Sequence, residues 1–480
     1  MVKLPEQFIE NMKKQLPENE WEAFFAIYGN PPLKGVRLNP LKGGRYELKA
    51  LLPWIGEPVA WEENGYYTAE EKVGKSPYHA AGVFYSQEPS AMCAAPLLNA
   101  QEGERILDLC SAPGGKGTQL ACKMNGKGII VLNEPVFSRA KILSQNVERL
   151  GIKNAVVISE MPEDLSTKFA GYFDKIMVDA PCSGEGMFRK NAEEALGEWS
   201  MENVALCAER QARILDEATK MLREGGRLVY STCTFATAED EGQVCDYLEK
   251  HPEMRLVKQE KLYPHKVAGE GHFAALFEKV EKTGEWNTRL KEGKPSYTRD
   301  GEKAYRDFEK SFFKEKFATR LYETSGMLYD LPEGVFDWKG LNVLRVGVRL
   351  GEVKNGRFEP SHSLAMCVKK SECKNVVDLA ETDERLEKYL RGDTMDADVE
   401  NGWCIVCVNG YPLGLGKAVG GTVKNHYPKG LRTKYRTSVF SIKNTQQYKS
   451  LVGFAIYPPG AIYLRCDMLF GALGFISYRK

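Results

Sequence analysis

Asp108-Leu109-Cys110-Ser111-Ala112-Pro113-Gly114-Gly115-Lys116-Gly117 is the stretch whose reading decides the fold. It follows a short apolar run at residues 105–109 that reads as a strand, and it leads into helical spacing. A glycine-rich turn between strand and helix lets backbone amides come close to a bound cofactor. The turn has neither the Lys-Ser/Thr ending of a triphosphate loop nor the full GxGxxG spacing of a dinucleotide loop, which disfavours ATP and NAD as ligand.

Outward from this turn, β-rich runs at residues 105–109, 128–132, 155–158, 175–178 and 227–231 alternate with helical stretches at 138–150 and 204–223. Such alternation predicts an α/β domain built on a parallel sheet, with ligands bound by loops at the strand C-ends. In the second helix Val204, Ala208, Leu215, Ala218 and Leu222 share one face, and Gly225-Gly226 is expected to end it. Glu134 closes the second strand, where a carboxylate can accept hydrogen bonds from both ribose hydroxyls of an adenosyl cofactor.

Two further segments end strands of the same sheet. Asp179-Ala-Pro181-Cys182-Ser-Gly184-Glu-Gly186 brings a carboxylate and a thiol to the cofactor edge, and Tyr230-Ser-Thr232-Cys233-Thr brings a second thiol. Thiols suit methyl transfer to a pyrimidine carbon. Cytosine carbon 5 becomes nucleophilic once a thiolate adds at carbon 6. The adduct then needs N3 protonated or strongly hydrogen-bonded, and afterwards a base for the carbon-5 proton. Asp179 and a second thiol suit those roles. Against this, either cysteine alone also reads as a small buried hydrophobe. Cys404-Ile-Val-Cys407 has zinc-ligand spacing, but no second pair follows it and its neighbours read as a buried strand, so no metal is expected.

The remaining composition narrows the class. With 480 residues the chain should divide into two to four domains, and 43% apolar with 27% charged residues describes a folded, globular protein. No export signal or eighteen-residue apolar run is present, so a cytoplasmic protein is expected, with its twelve cysteines reduced. The net charge of +1 hides an asymmetry: Asn401 to Cys466 holds nine basic residues and no acidic one, whereas Glu372 to Glu400 holds ten acidic and four basic. A boundary near residue 400 and a nucleic-acid-binding C-terminus follow, with Tyr427, Tyr435 and Tyr448 as stacking candidates. Near the N-terminus, Phe8, Met12 and Leu16 predict an amphipathic helix and residues 35–38 a strand, while residues 281 to about 320 read as a linker running into a solvated helix.

Together these segments resemble the Nop/Sun family of RNA cytosine-C5 methyltransferases, and within it the bacterial RsmF type. The resemblance extends to Tyr85-Ser-Gln-Glu-Pro89-Ser-Ala-Met upstream. Downstream it extends to Arg357-Phe-Glu-Pro-Ser361-His362, Gly416-Lys417 and Lys424-Asn-His-Tyr-Pro-Lys429-Gly-Leu-Arg432. It implies a Rossmann-like methyltransferase domain that uses S-adenosylmethionine, with a small N-terminal module, a C-terminal α+β domain and a PUA-like β-rich domain. The expected division is 1–75 (RNA-binding module), 76–282 (methyltransferase), 283–395 (linker and middle domain) and 396–480 (PUA-like).

By the same resemblance Cys110, Ser111, Ala112, Pro113, Gly114, Gly115, Lys116, Glu134 and Asp179 hold the cofactor. Cys233 attacks the base, Cys182 assists breakdown of the adduct, and Asp179 contacts the base. The implied substrate is 16S rRNA or an assembling small subunit; neither DNA nor a membrane is an expected partner. Gly117 stands where the family usually has threonine, and Ser159-Glu160 where many members have an aspartate near adenine. A transfer RNA cytosine-C5 methyltransferase and a non-catalytic ribosome-assembly factor are the alternatives. An exocyclic-amine methyltransferase would need an aromatic residue where Cys182 stands.

Overall fold

The structure, a computed structural model, describes residues 2–280 and 290–432. Its centre is an eight-stranded sheet of β1 (Arg105–Asp108), β2 (Ile129–Asn133), β3 (Ala155–Ile158), β4 (Phe173–Asp179), β5 (Leu222–Thr232), β6 (Met254–Leu262), β7 (His272–Lys279) and β8 (Val343–Val346). Their order is β6-β7-β5-β4-β1-β2-β3-β8; β1 to β5 pair in parallel, and β6, β7 and β8 run antiparallel to their neighbours. The strand order reverses between β1 and β4, the place where doubly wound sheets open a crevice for ligand.

Residues alternate across this sheet. Leu107, Val131, Ile176, Val178 and Leu228 pack on one face with Leu215 and Ala218 of the helix Met201–Met221. Ile106, Ile130, Leu132, Met177 and Val229 pack on the other with Leu120 of α1 (Gly115–Lys123) and Leu143 and Val147 of α2 (Phe137–Leu150). Both faces are buried, which is why the strands read as apolar runs without a polar side.

Gly225 and Gly226 do not end the long helix as expected; it stops at Met221 and the chain enters β5 at once. Gly225 has a φ of +67°, and a Cβ on Gly226 would stand 2.7 Å from Leu222 Cδ1 and 2.9 Å from the Asp174 carbonyl oxygen. Pairing with β4 jumps from Phe173↔Leu222 to Lys175↔Arg227, so the glycines form a bulge inside the strand.

Ahead of this domain lies an antiparallel sheet ordered Ile55–Pro58, Gly65–Thr68, Lys34–Leu38, Phe84–Ser86. Its last strand lies beyond residue 75, the expected end of the module. The expected N-terminal helix forms at Glu6–Gln15 and buries Phe8 and Met12. Phe8 meets Phe188 edge-on at 5.0 Å and reaches Trp199 at 6.2 Å, so this helix packs on the segment that follows β4.

The helix Arg299–Phe312 is not solvated: Tyr305, Phe308 and Phe312 repeat at three- and four-residue steps and bury that stripe. It covers an antiparallel sheet ordered Leu321–Thr324, Met327–Asp330, Val348–Lys354, Arg357–Pro360. Between those strands β8 leaves to pair with β3, so this region completes the central sheet.

The last described sheet includes Val376–Leu379, parallel to Gly402–Val408 and more than 20 residues before residue 400. The change of charge near 400 thus falls inside one sheet domain. Cys404 and Cys407 sit on its strand Gly402–Val408 and face different cores. Tyr427 is buried between His362 and Tyr389, which removes it as a stacking surface. Tyr435 and Tyr448 lie outside the described residues. Among the described residues no helix is long and apolar enough to cross a membrane.

Candidate active site

The loop from Leu109 to Gly114 leaves β1 at the reversal point of the sheet. The Ser111 N–H donates to the Asn133 carbonyl at 2.8 Å, and Asn133 Nδ2 donates to the carbonyls of Leu109 and Glu160 at 3.1 and 3.0 Å. Asn133 therefore ties together the loops after β1, β2 and β3. Gly114, with a φ of +110°, turns the chain into α1. This left-handed turn places the N-terminus of a nine-residue helix at the C-terminal edge of β1, where the helix dipole favours a carboxylate.

Glu134 closes β2, buried, with Oε1 accepting from the Val136 N–H at 3.0 Å and Oε2 lying 3.4 Å from Arg139. A carboxylate offers about four acceptor positions, so room is left for ribose hydroxyls. The glycine turn, the helix N-terminus and this carboxylate fit an adenosyl amino-acid cofactor. Glu160 is engaged elsewhere: it accepts the Asn342 N–H at 2.6 Å.

Lys116 points from the first turn of α1 to the end of β4, where its ammonium lies 2.8 Å from Asp179 Oδ2; Ser231 Oγ donates to Oδ1 at 2.9 Å. Burial pulls the Lys116 pKa down, but the charge of Asp179 and its hydrogen bond outweigh that and raise it. Beneath the loop, Asp108 is fully buried with neither oxygen hydrogen-bonded among the described residues. Burial, with the charge of Asp179 adding to it, pushes its pKa up to about 7, against the pull of the nearby Ser111 hydroxyl. A Cβ on Gly117 would stand 2.6 Å from Asp108 Oδ2 and 2.5 Å from Ser111 Oγ, so the threonine usual in the family would not fit without movement.

The two thiols converge. Cys182 Sγ and Cys233 Sγ are 3.2 Å apart, and the Cys233 N–H points at Cys182 Sγ from 3.3 Å. The hydrogen bond to Cys233, then burial, holds the Cys182 thiol protonated well above its ordinary range. The loops that carry them are locked together: Gly186 N–H donates to the Cys233 carbonyl at 2.8 Å and Ser183 Oγ bonds Thr234 Oγ1 at 2.8 Å. Glu239 accepts from the Ser183 N–H at 2.9 Å and from Gln211 at 2.8 Å.

Cys110, Ser111, Ala112, Pro113, Gly114, Gly115, Lys116, Glu134, Asp179, Cys182 and Cys233 thus all lie at the C-terminal edge of the parallel strands. Sequence reasoning missed four residues that shape this edge: Asn133, Arg37 and the Arg189–Glu270 pair. Arg37, buried in the N-terminal sheet, donates to the Gly115 carbonyl at 2.6 Å, to Gln87 Oε1 at 2.5 Å and to Thr118 Oγ1 at 2.8 Å. Its only sequence signal is an arginine within the apolar run at residues 35–38. Arg189, past the Cys182 loop, holds Glu270 by two hydrogen bonds of 2.7 Å.

Four family models cover most of the chain. The model described as 16S rRNA methyltransferase RsmB/F matches residues 95–279, and the N-terminal domain of 16S rRNA methyltransferase RsmF matches 4–89. The RsmF first C-terminal domain matches 307–368 and the RsmF PUA domain 374–433. Ribosomal RNA small subunit methyltransferase F of Shewanella sp. (strain ANA-3) is 32% identical over 475 residues, covering 90% of this chain and 98% of that protein. The protein of the same name from Vibrio vulnificus (strain YJ016) is 32% identical over 468 residues, with the same coverage.

Among solved structures, NSun6 from Pyrococcus horikoshii with SFG is 22% identical at a TM-score of 0.53, covering 58% of this chain and 99% of that one. A methyltransferase homolog from Pyrococcus horikoshii is 24% identical at 0.51, covering 58% and 100%. These two structures share the fold over a little more than half of this chain. Matched by RsmF models from residue 4 to residue 433 and about a third identical to two RsmF-type enzymes over nearly their whole length, the chain belongs to the RsmF type of the RsmB/F family of 16S rRNA methyltransferases.

Proposed function

We propose that this chain transfers a methyl group from S-adenosylmethionine to carbon 5 of a cytosine in small-subunit (16S) rRNA, with Cys233 as nucleophile. The observation that carries this reading is the pair of sulfurs 3.2 Å apart beside the Lys116–Asp179 ion pair. A binding factor without activity needs neither pair, and an exocyclic-amine methyltransferase has no use for Cys182. Glu134 and the residues from Cys110 to Lys116 hold the cofactor, which when bound supplies an electrophilic methyl group on its sulfonium.

Cys233 adds to carbon 6 as a thiolate, while Cys182, kept protonated, offers its hydrogen to that sulfur. Asp179, fixed by Lys116 and Ser231, holds the proton at N3 and so lets electron density collect at carbon 5. When the adduct breaks down, the Cys182 thiol stabilises the departing Cys233 sulfur. A stacked cytosine must leave its helix to reach this site, at a cost of a few kcal/mol that binding elsewhere offsets. The N-terminal module and the basic C-terminal domain are assigned that binding, and the rRNA substrate places the reaction in the cytoplasm.

The test is transfer of labelled methyl to 16S rRNA, small subunits and transfer RNA, with the product cytosine mapped. Cys233→Ala should abolish transfer, and Cys182→Ala should leave a covalent protein–RNA adduct. Full activity of Cys233→Ala would overturn the mechanism. Transfer only to transfer RNA would move the substrate, and no transfer at all would favour the assembly-factor reading.

A further inference from the structure

The cytosine-C5 reading leaves one step without an agent, because the carbon-5 proton needs an acceptor after methylation. The groups already described do not supply it. Asp179, fixed by Lys116 and Ser231, is committed to the proton at N3, and Lys116 is a cation. Cys182, the acceptor expected from sequence chemistry, is held as a protonated thiol by Cys233 and by burial.

His272 is a further titratable group on that wall. It opens β7, where Phe273 pairs with Thr232 and Ala274 with Ser231. Residue 272 therefore stands across from Cys233, one step past the last pair, and strand alternation puts it on the same sheet face as Ser231. Gly271 and Glu270 are fixed just before it: their N–H groups donate to Ser90 Oγ at 3.1 Å and Glu88 Oε1 at 2.9 Å.

The ring is 1% exposed, and neither Nδ1 nor Nε2 has a hydrogen-bond partner among the described residues. Burial, and secondarily the charge of Lys116, hold it neutral, with a pKa well below the ordinary value. A buried imidazole with two unused nitrogens costs free energy that a phenylalanine of similar shape would not, and such uncompensated groups call for an explanation.

We propose that His272 is the acceptor of the carbon-5 proton. The C5–H bond breaks and its electron pair becomes the C5=C6 double bond. The bond from C6 to Cys233 Sγ breaks, and the sulfur leaves with its pair. The proton moves to a ring nitrogen of His272 and from there to water when the product departs. The order of steps follows from charge: methyl transfer moves the positive charge onto the N3-protonated adduct, which acidifies the carbon-5 proton, so a neutral imidazole can take that proton only after methyl transfer.

The test uses the full chain and RNA carrying tritium at cytosine carbon 5, following methyl incorporation and tritium release together in single turnovers. In wild type the two should rise in step. In His272→Phe, which keeps the shape and removes the acceptor, methyl should enter a covalent protein–RNA adduct while tritium release slows by about 10²-fold or more. His272→Gln serves as a second variant, and thermal melting of both shows whether they fold.

Tritium release at the wild-type rate from a folded variant would overturn the assignment, as would loss of methyl incorporation and tritium release together, which marks a role before methyl transfer. Wild type that transfers methyl but releases no tritium would instead overturn the cytosine-C5 reading on which this inference rests.

Discussion

Cys182 and Cys233 stand 51 residues apart in sequence with their sulfurs 3.2 Å apart in space. Two thiols at that distance resist simultaneous ionisation, since a second negative charge beside the first is opposed by both burial and repulsion. The pair is also close to bonding distance, about 2.05 Å for a disulfide. Dilute peroxide should therefore inactivate the enzyme with loss of two thiols and two mass units, and dithiothreitol should restore it. Peptide mapping that finds Cys233 oxidised while Cys182 stays free would refute this.

Lys116→Met should leave the fold intact and slow methyl transfer by on the order of 10²-fold, because Asp179 loses the cation that fixes it. Single-turnover rates at saturating cofactor and RNA check this. An unchanged rate would show that Asp179 needs no partner.

Stability should depend on pH through Asp108. Its folded pKa of about 7 lies above the unfolded value near 4, so the folded state binds the extra proton between those values. Stability from this group is therefore greatest below pH 4 and falls as pH rises to 7. Asp108→Asn should remove that fall and be the more stable protein at pH 8, by up to a few kcal/mol. Urea titrations of both proteins at pH 5 and pH 8 measure it; parallel pH profiles would refute it.

How far the sequence carries depends on whether a pattern is local. Strands 105–109, 128–132, 155–158 and 175–178 were legible because both faces of each are buried, and Cys110 to Lys116 because strand, glycine turn and helix are contiguous. Gly225-Gly226 misled because a glycine pair marks a helix end and a strand bulge equally well. The meeting of Cys182 with Cys233 follows from parallel pairing of their strands, whereas Arg37 reaches α1 from a different module, which no local pattern encodes.

Glu270→Ala should be the most damaging of these changes to folding. Arg189 and Glu270 form a two-point pair with side chains only 6% and 2% exposed, and the Leu33 N–H also donates to Glu270 at 2.8 Å. Removing one member of a buried pair leaves an uncompensated charge and costs about 3–5 kcal/mol. Thermal melting provides the measurement, and a loss within experimental error would show that water reaches Arg189.

Lys424, exposed on the strand Thr422–Asn425, tests the C-terminal domain as an RNA contact. Lys424→Gln should weaken RNA binding and lower the slope of log affinity against log salt by about one if it meets a phosphate. Filter binding over a range of salt concentrations reads the slope directly; an unchanged slope places the RNA elsewhere.

The contact of Phe8 with Phe188 at 5.0 Å sets an order on biosynthesis. Phe24 and Tyr28 cover part of the helix Glu6–Gln15 locally, but Phe188, 180 residues downstream of Phe8, completes the cluster. At about 5–20 residues per second that part of the apolar face stays uncovered for roughly 10–40 s. Slowing translation between the helix Glu6–Gln15 and residue 188 should therefore raise the aggregated fraction more than the same delay placed after residue 240.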